Sequence, residues 1–253
     1  MINIITLHLY YPELAKEFAI HFNNLAKNSN YNCYFVYTVP NSLTNFQLKT
    51  VENIFDYNLK VPRQRIIVPN QGTDHYPFLQ MLKLIHYNFE INQIQTLFKF
   101  HSKKSEITLG KERGNRWRHK LVKPLVEKVK TVENLFNDSK IGLIGSQQLH
   151  FSDYKQNWFL STNYNRFEQM CKRYSIPFAL NQISFIAGSI YAINGSVLNN
   201  VLTLNLVEDW LVNLDWKSGY VNDNKLENGS VTHTLERFIP YLIKKQGYQI
   251  KGI

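Results

Sequence analysis

Much that marks a function elsewhere is missing from this sequence of 253 residues. It holds two cysteines, Cys33 and Cys171, far apart. That excludes a disulfide-stapled scaffold and fits a reducing compartment. Neither they nor the 8 histidines show zinc-ligand spacing. The two common nucleotide loops, GxxxxGK[ST] and GxGxxG, do not occur, and neither does a GxSxG nucleophile turn. There is no Asp-x-Asp pair. No apolar run approaches the roughly 20 residues that span a bilayer. The first residues lack a basic stretch and a small-residue cleavage site, so they do not read as a signal peptide. The expectation is a cytoplasmic protein. Acidic residues are also scarce: 19 Asp and Glu stand against 29 Lys and Arg, a net charge of +10.

What is present argues for a large core. Apolar residues make up 44% and charged residues 19%, which excludes a disordered chain. The first hundred residues alternate in pattern. Apolar, β-branched runs at 2–10, 32–39, 64–69 and 96–102 read as strands. Segments 12–28, 43–55 and 77–89 have helical spacing, and Pro12 and Pro77 sit where a helix opens. Such alternation predicts an α/β fold, a mainly parallel sheet with helices on both faces. The second half is less regular. A basic helical stretch covers 113–136, a short strand 140–146, and a helix 161–174. An apolar strand at 183–194 is interrupted by Gly188. A helix within 230–250 contains Pro240, which predicts a kink or an early end, and a short strand follows. One domain over 1–253 is expected, in two halves that meet at about residue 112.

Ligands of such sheets bind beyond the carboxyl ends of the strands. That directs attention to 8–11, 38–41, 70–74 and 101–105. In VPNQGTDHYPFL (68–79), Asn70, Gly72 and Asp74 lie between a strand and a helix. Gly72 permits a positive φ, and the first turn of the helix can hold an anion. The plainer reading is a turn capped by Asp74 or Thr73. In FKFHSKKS (98–105), period two places Lys99, His101 and Lys103 on one strand face. Cations at that edge suit a diphosphate; the plainer reading is a solvated basic loop. From 101 to 130 ten basic residues face three acidic ones, a local excess of +7. This fits a phosphorylated donor or an anionic membrane surface, and no nucleic-acid module accompanies it. Carboxylates at plausible catalytic places are Asp74, Glu208, Asp209, Glu227 and Glu236. In THTLERF (232–238), His233 and Glu236 share a helix face. On spacing alone, Glu236 and Arg237 read as a surface ion pair worth under about 1 kcal/mol.

These motifs in this order, VPNQGTDHYPFL, LFKFHSKKS, a Trp-Arg helix, IGLIGS, FIAGSIYAIN and THTLERF, resemble the rhamnan synthesis protein F family. Those are glycosyltransferase-like proteins of cell-wall, O-antigen and capsule polysaccharide assembly. The resemblance runs from about residue 3 to 250, and departs from the family's run around Tyr191. It implies a GT-A-like (Rossmann-like) fold. It also implies that KFHSKKS stands where the wider GT-A group has a metal-binding Asp-x-Asp. Cations there suggest that protein, without a divalent metal, neutralises the diphosphate.

The expected activity is inverting, hexosyltransferase-type transfer of a sugar such as rhamnose, from a dTDP- or UDP-linked donor to a glycan or lipid-linked glycan. Glu236 is the first candidate base and Asp209 the second. Lys99, His101, Lys103 and Lys104 form the leaving-group clamp. His8, Tyr10, Tyr11 and Thr38 border the nucleotide base. Asn70, Gly72 and Asp74 contact ribose or sugar. Gly188, Ser189, His233 and Arg237 face the acceptor. Peripheral contact with the inner face of the membrane fits the charge, and nucleic acid is not an expected partner. The alternative is a non-catalytic carbohydrate-binding or membrane-associated module of an assembly complex.

Overall fold

The computed structural model describes residues 1–102, 111–152, 163–217, 220–221, 225–226 and 230–253. Strand β1 (Ile2–His8) is followed by a 3-10 turn at Pro12–Leu14 and helix α1 (Ala15–Asn28). Next come β2 (Asn32–Pro40), α2 (Asn45–Asn58), β3 (Arg63–Val68), α3 (His75–Asn88) and β4 (Ile94–His101). The second half holds α4 (Lys111–Glu127), α5 (Val129–Leu135), β5 (Ile141–Gly145), β6 (His150–Ser152) and α6 (Asn163–Arg173). Then follow β7 (Ser184–Ile186), β8 (Tyr191–Asn194), α7 (Gly195–Asn200) and α8 (Leu204–Asn213). The chain closes with β9 (Tyr220–Val221), β10 (Lys225–Leu226), α9 (Val231–Lys245) and β11 (Gln249–Gly252).

Seven strands form one sheet in the order β11-β5-β8-β4-β1-β2-β3. It takes strands from both halves of the chain. The pairs β1 with β2, β1 with β4, β2 with β3, and β5 with β11 are parallel. Strand β8 is antiparallel to both β4 and β5. This is the α/β, mainly parallel class expected from the alternating pattern. The central strand β4 is buried along its whole length, as a strand covered on both faces must be. Its two faces meet different helices. Phe100 packs on Phe22 of α1 with ring centroids 5.2 Å apart. The Lys99 ammonium lies 5.2 Å from the Phe78 ring of α3, on the other face. Helix α4 packs on α1, and a buried Arg118 fixes it by two bonds to Glu17, 2.9 and 3.0 Å long. Each large side chain withdrawn from water contributes about 1.5–3 kcal/mol, and the core is one continuous cluster.

Two expectations change in detail. The apolar stretch 183–194 is two strands, and the chain reverses between them at Gly188 (φ 97°) and Ser189 (φ 52°). Pro240 does not end a helix, because α9 runs on from Val231 to Lys245. Both cysteines are free and buried. Among the described residues no helix is long and apolar enough to cross a membrane.

Candidate active site

An antiparallel strand begins where its parallel neighbours end. The turn 187–190 leading into β8 therefore sits at the carboxyl edge of the sheet, with Tyr191 opposite Lys99. The loop from β3 to α3 reaches the same edge. Gly72 (φ 62°) and Thr73 (φ 46°) bend it back, and no side-chain cap closes α3 at Asp74. A turn capped by the Asp74 side chain is thus not what forms. The Asp74 carboxylate instead turns inward to the Lys99 ammonium, forming a buried ion pair.

Lys99 is 1% exposed. A lysine inside an apolar strand needs such a partner, because a lone buried charge costs several kcal/mol. Its ammonium also donates to the Ser189 carbonyl at 2.7 Å and lies 5.4 Å from the Tyr191 ring. Burial pushes the Asp74 pKa up, but the surrounding His75, Lys99 and His101 outweigh it and hold the carboxyl well below its usual range. His101, two residues along β4, donates Nε2–H to the Gly188 carbonyl at 2.7 Å. The carbonyl can only accept, so that nitrogen carries the proton.

From the other side comes α9, opened by Ser230, whose hydroxyl accepts from the His233 amide and lies 2.9 Å from His233 Nδ1. Glu236 Oε1 accepts the Gly188 N–H at 2.7 Å, and its Oε2 lies 3.2 Å from an Arg237 guanidinium nitrogen. Arg237 is 8% and Glu236 16% exposed, so the pair is no solvated surface contact. The same guanidinium nitrogen donates to the His233 carbonyl at 3.0 Å, and the group stacks over Phe185 at 4.4 Å. The Gly188–Ser189 turn is therefore gripped by three side chains from two elements: Lys99, His101 and Glu236.

On the β1 side, His8 Nδ1 lies 2.9 Å from the Thr38 hydroxyl, and both residues are buried. Burial pushes the His8 pKa down to about 3, so the imidazole is neutral. The Ser102 hydroxyl accepts the amides of Tyr10 and Tyr11 at 2.8 and 3.0 Å, which ties the β1 loop to the end of β4. The two tyrosine rings stand edge to face at 4.9 Å, Tyr10 being the more exposed.

The sequence matches the profile of the rhamnan synthesis protein F family over residues 2–248. The chain belongs to this family. Membership places it among glycosyltransferase-like proteins of polysaccharide assembly. No curated protein matches it. Among solved structures it is similar to core-mannan synthase A from Aspergillus fumigatus in an Mn/GDP form. There the identity is 8%, over 83% of this chain and 64% of that one, with a TM-score of 0.41. The mannosyltransferase Ktr4p from S. cerevisiae gives 8% identity, 82% and 60% coverage and a TM-score of 0.41. Its GDP complex gives 7%, 81%, 60% and 0.39. The chain spans about three fifths of the length of these proteins.

The residues singled out from sequence in this rhamnan synthesis protein F member do not all come together. His8, Asp74, Lys99, His101, Gly188, Ser189, His233, Glu236 and Arg237 are joined into one cluster, with Thr38 bonded to His8. Asn70 is exposed on the loop before Gly72. Asp209 and Glu208 make their contacts elsewhere. Asp209 pairs with Arg173 at 2.7 Å and accepts from the Tyr174 hydroxyl and Asn213, while Glu208 pairs with Lys83 at 2.9 Å. Lys103, Lys104 and Glu227 lie outside the described residues.

Three members of the cluster were not among the site residues expected from the sequence. His75 is buried beside Asp74, and neither of its ring nitrogens has a hydrogen-bond partner. Burial pushes its pKa down to about 3. The Tyr191 hydroxyl is likewise buried without a partner; burial first, then the charges of Asp74 and Glu236, push its pKa up. Ser102 is the third. The lone lysine within TLFKF was itself a signal, since it required a buried carboxylate from some other segment.

Among the described residues the groups at this edge of the sheet are mostly cationic or already paired. The end of β4 presents Lys99 and His101, and the nearest carboxylate is already held by an ammonium. Among the described residues no group of three His, Cys, Asp or Glu is arranged to hold one.

Proposed function

We propose that this chain is an inverting glycosyltransferase that moves a sugar, rhamnose being the candidate, from a dTDP- or UDP-linked donor to a growing glycan or glycolipid. The observation that carries this reading is the placing of Glu236. Its carboxylate stands at the ligand edge of the sheet, fixed by a backbone amide and a guanidinium, and is still partly open to solvent. An acceptor hydroxyl attacking an anomeric carbon must lose its proton, and a fixed carboxylate at that edge can take it. Asp209, bound among Arg173, Tyr174 and Asn213, is not joined to that cluster by any described contact and becomes the weaker candidate.

The leaving nucleoside diphosphate needs positive charge around it. Lys99 and His101 already spend hydrogen bonds within the protein, so in this reading the clamp draws on Lys103, Lys104 and the exposed basic face of α4, such as Lys120 and Lys123. Tyr10 and Tyr11 offer rings to the nucleobase, and Asn70 an amide to ribose or sugar. His233 and Arg237 border the acceptor side. The same basic face of α4 suits peripheral contact with an anionic membrane.

The test is nucleotide release from a panel of dTDP-, UDP- and GDP-sugars by wild type and Glu236→Gln. The isosteric amide keeps shape and removes basicity. Turnover is expected to fall about 10²–10⁴-fold with donor affinity and folding retained. Near wild-type turnover in the variant would place the base elsewhere. Absence of turnover from every donor, with glycan binding intact, would favour a non-catalytic module.

A further inference from the structure

The buried cation of the site has no obvious use in clamping a leaving group. Lys99 is 1% exposed, and its ammonium is already shared between the Asp74 carboxylate and the Ser189 carbonyl. These two partners lie on different loops. Asp74 ends the β3–α3 loop, whose Gly72 and Thr73 have positive φ. Ser189, itself at φ 52°, lies in the turn before β8. The amide of the preceding residue, Gly188, is what holds Glu236 Oε1 at 2.7 Å. A displacement of the ammonium would therefore be felt by the Ser189 carbonyl, by the Gly188 peptide and by the carboxylate bonded to it.

We propose that Lys99 is a positioning residue: a buried strut between Asp74 and Ser189 that fixes the 70–74 loop to the 187–190 turn and so sets where Glu236 stands. The proposal deepens the glycosyl-transfer reading and rests on it for the kinetic part of its test. Three features favour a strut over a phosphate ligand. The ammonium points between two elements of the protein and is closed off from solvent. Its counter-charge is internal, and an arriving diphosphate would have to displace Asp74. Its neighbours on the turn, His101 and Glu236, bind the Gly188 peptide from both sides, its carbonyl and its amide, so the turn is constrained as a unit.

The variant that removes the strut with least harm to folding is Lys99→Met together with Asp74→Asn, because losing both partners leaves no unpaired buried charge. The full chain is assayed for nucleotide release from the active donor, and for binding of the corresponding nucleoside diphosphate by calorimetry. The expected result is a split: kcat about 10²-fold lower, with nucleoside diphosphate affinity within about threefold of wild type. Affinity reduced tenfold or more, with nucleoside binding unchanged, would make Lys99 a phosphate ligand and overturn the proposal. So would an unchanged kcat.

Lys99→Arg is the second variant, should the first not fold. A phosphate ligand would accept arginine with its kcat kept, whereas a strut of fixed length would not, so a fall in kcat supports the proposal and retention overturns it. If wild type releases no nucleotide from any donor, the transfer reading fails on its own. The strut is then judged by amide hydrogen exchange: faster exchange in both 70–75 and 186–191 in the double variant supports it, and unchanged exchange in either segment refutes it.

Discussion

Replacing Gly188 by alanine tests the geometry of the turn, and Gly247→Ala provides the comparison. Both glycines have positive φ, 97° and 89°. An L side chain in that region costs about 1–2 kcal/mol. The surroundings differ. A Cβ on Gly247, just past the end of α9, would meet nothing within 4 Å. A Cβ on Gly188 would stand 2.7 Å from a Leu121 methyl and 2.9 Å from Trp117 Nε1. Normal contacts are about 3.5–4.0 Å, so α4 or the turn would have to move by roughly 1 Å. Leu121 is fully buried, and such overpacking costs about 1–3 kcal/mol more. Gly247→Ala is therefore expected to lower stability by about 1 kcal/mol and Gly188→Ala by about 3 kcal/mol. In a domain of this size that is a Tm lower by about 2–4 °C against about 6–12 °C. The Gly188 peptide binds Glu236 through its amide and His101 through its carbonyl, so the same shift should reduce kcat about 10²-fold, while Gly247→Ala leaves it near wild type. Thermal and urea unfolding of both variants, with nucleotide release, decide the matter. Equal destabilisation by the two substitutions would refute the steric account, and full activity in folded Gly188→Ala would refute the link from turn to carboxylate.

Acid should destabilise the protein early. Burial is the main cause of the depression of His8 and His75 from 6.5 to about 3. A depressed histidine binds fewer protons folded than unfolded, so its contribution is full above about pH 6.5 and is lost as pH falls toward about 3. Two such groups would remove up to roughly 3–4 kcal/mol between pH 7 and pH 5, and an unchanged urea midpoint over that range would show that they titrate normally. Turnover should continue in excess chelator, given the cations where acidic ligands would be needed. Complete loss of turnover, restored by one added divalent metal, would show that distant carboxylates converge on an ion after all.

Periodicity and composition alone determined the sheet-forming and helix-forming segments of the first hundred residues and their mainly parallel arrangement. These are local or nearly local properties: a strand buried on both faces is continuously apolar, and a helix between two such strands forces them parallel. The same logic placed Lys99 and His101 on one face of β4, and motif order led to Glu236. What those residues do was not legible. The pairing of Lys99 with Asp74 spans 25 positions, and that of Gly188 with Glu236 spans 48. No pattern along the chain reports such distances. The apolar run 183–194 likewise carries no sign that its second half enters the sheet antiparallel, between β4 and β5. Only the folded packing shows that the lysine legible as a phosphate clamp is buried against Asp74 and Ser189, and that Glu236 of the apparent surface pair at 236–237 also holds the Gly188 amide. The physical reason is desolvation. A charge's role depends on which groups replace its water, and those groups come from segments that are brought together only when the sheet closes.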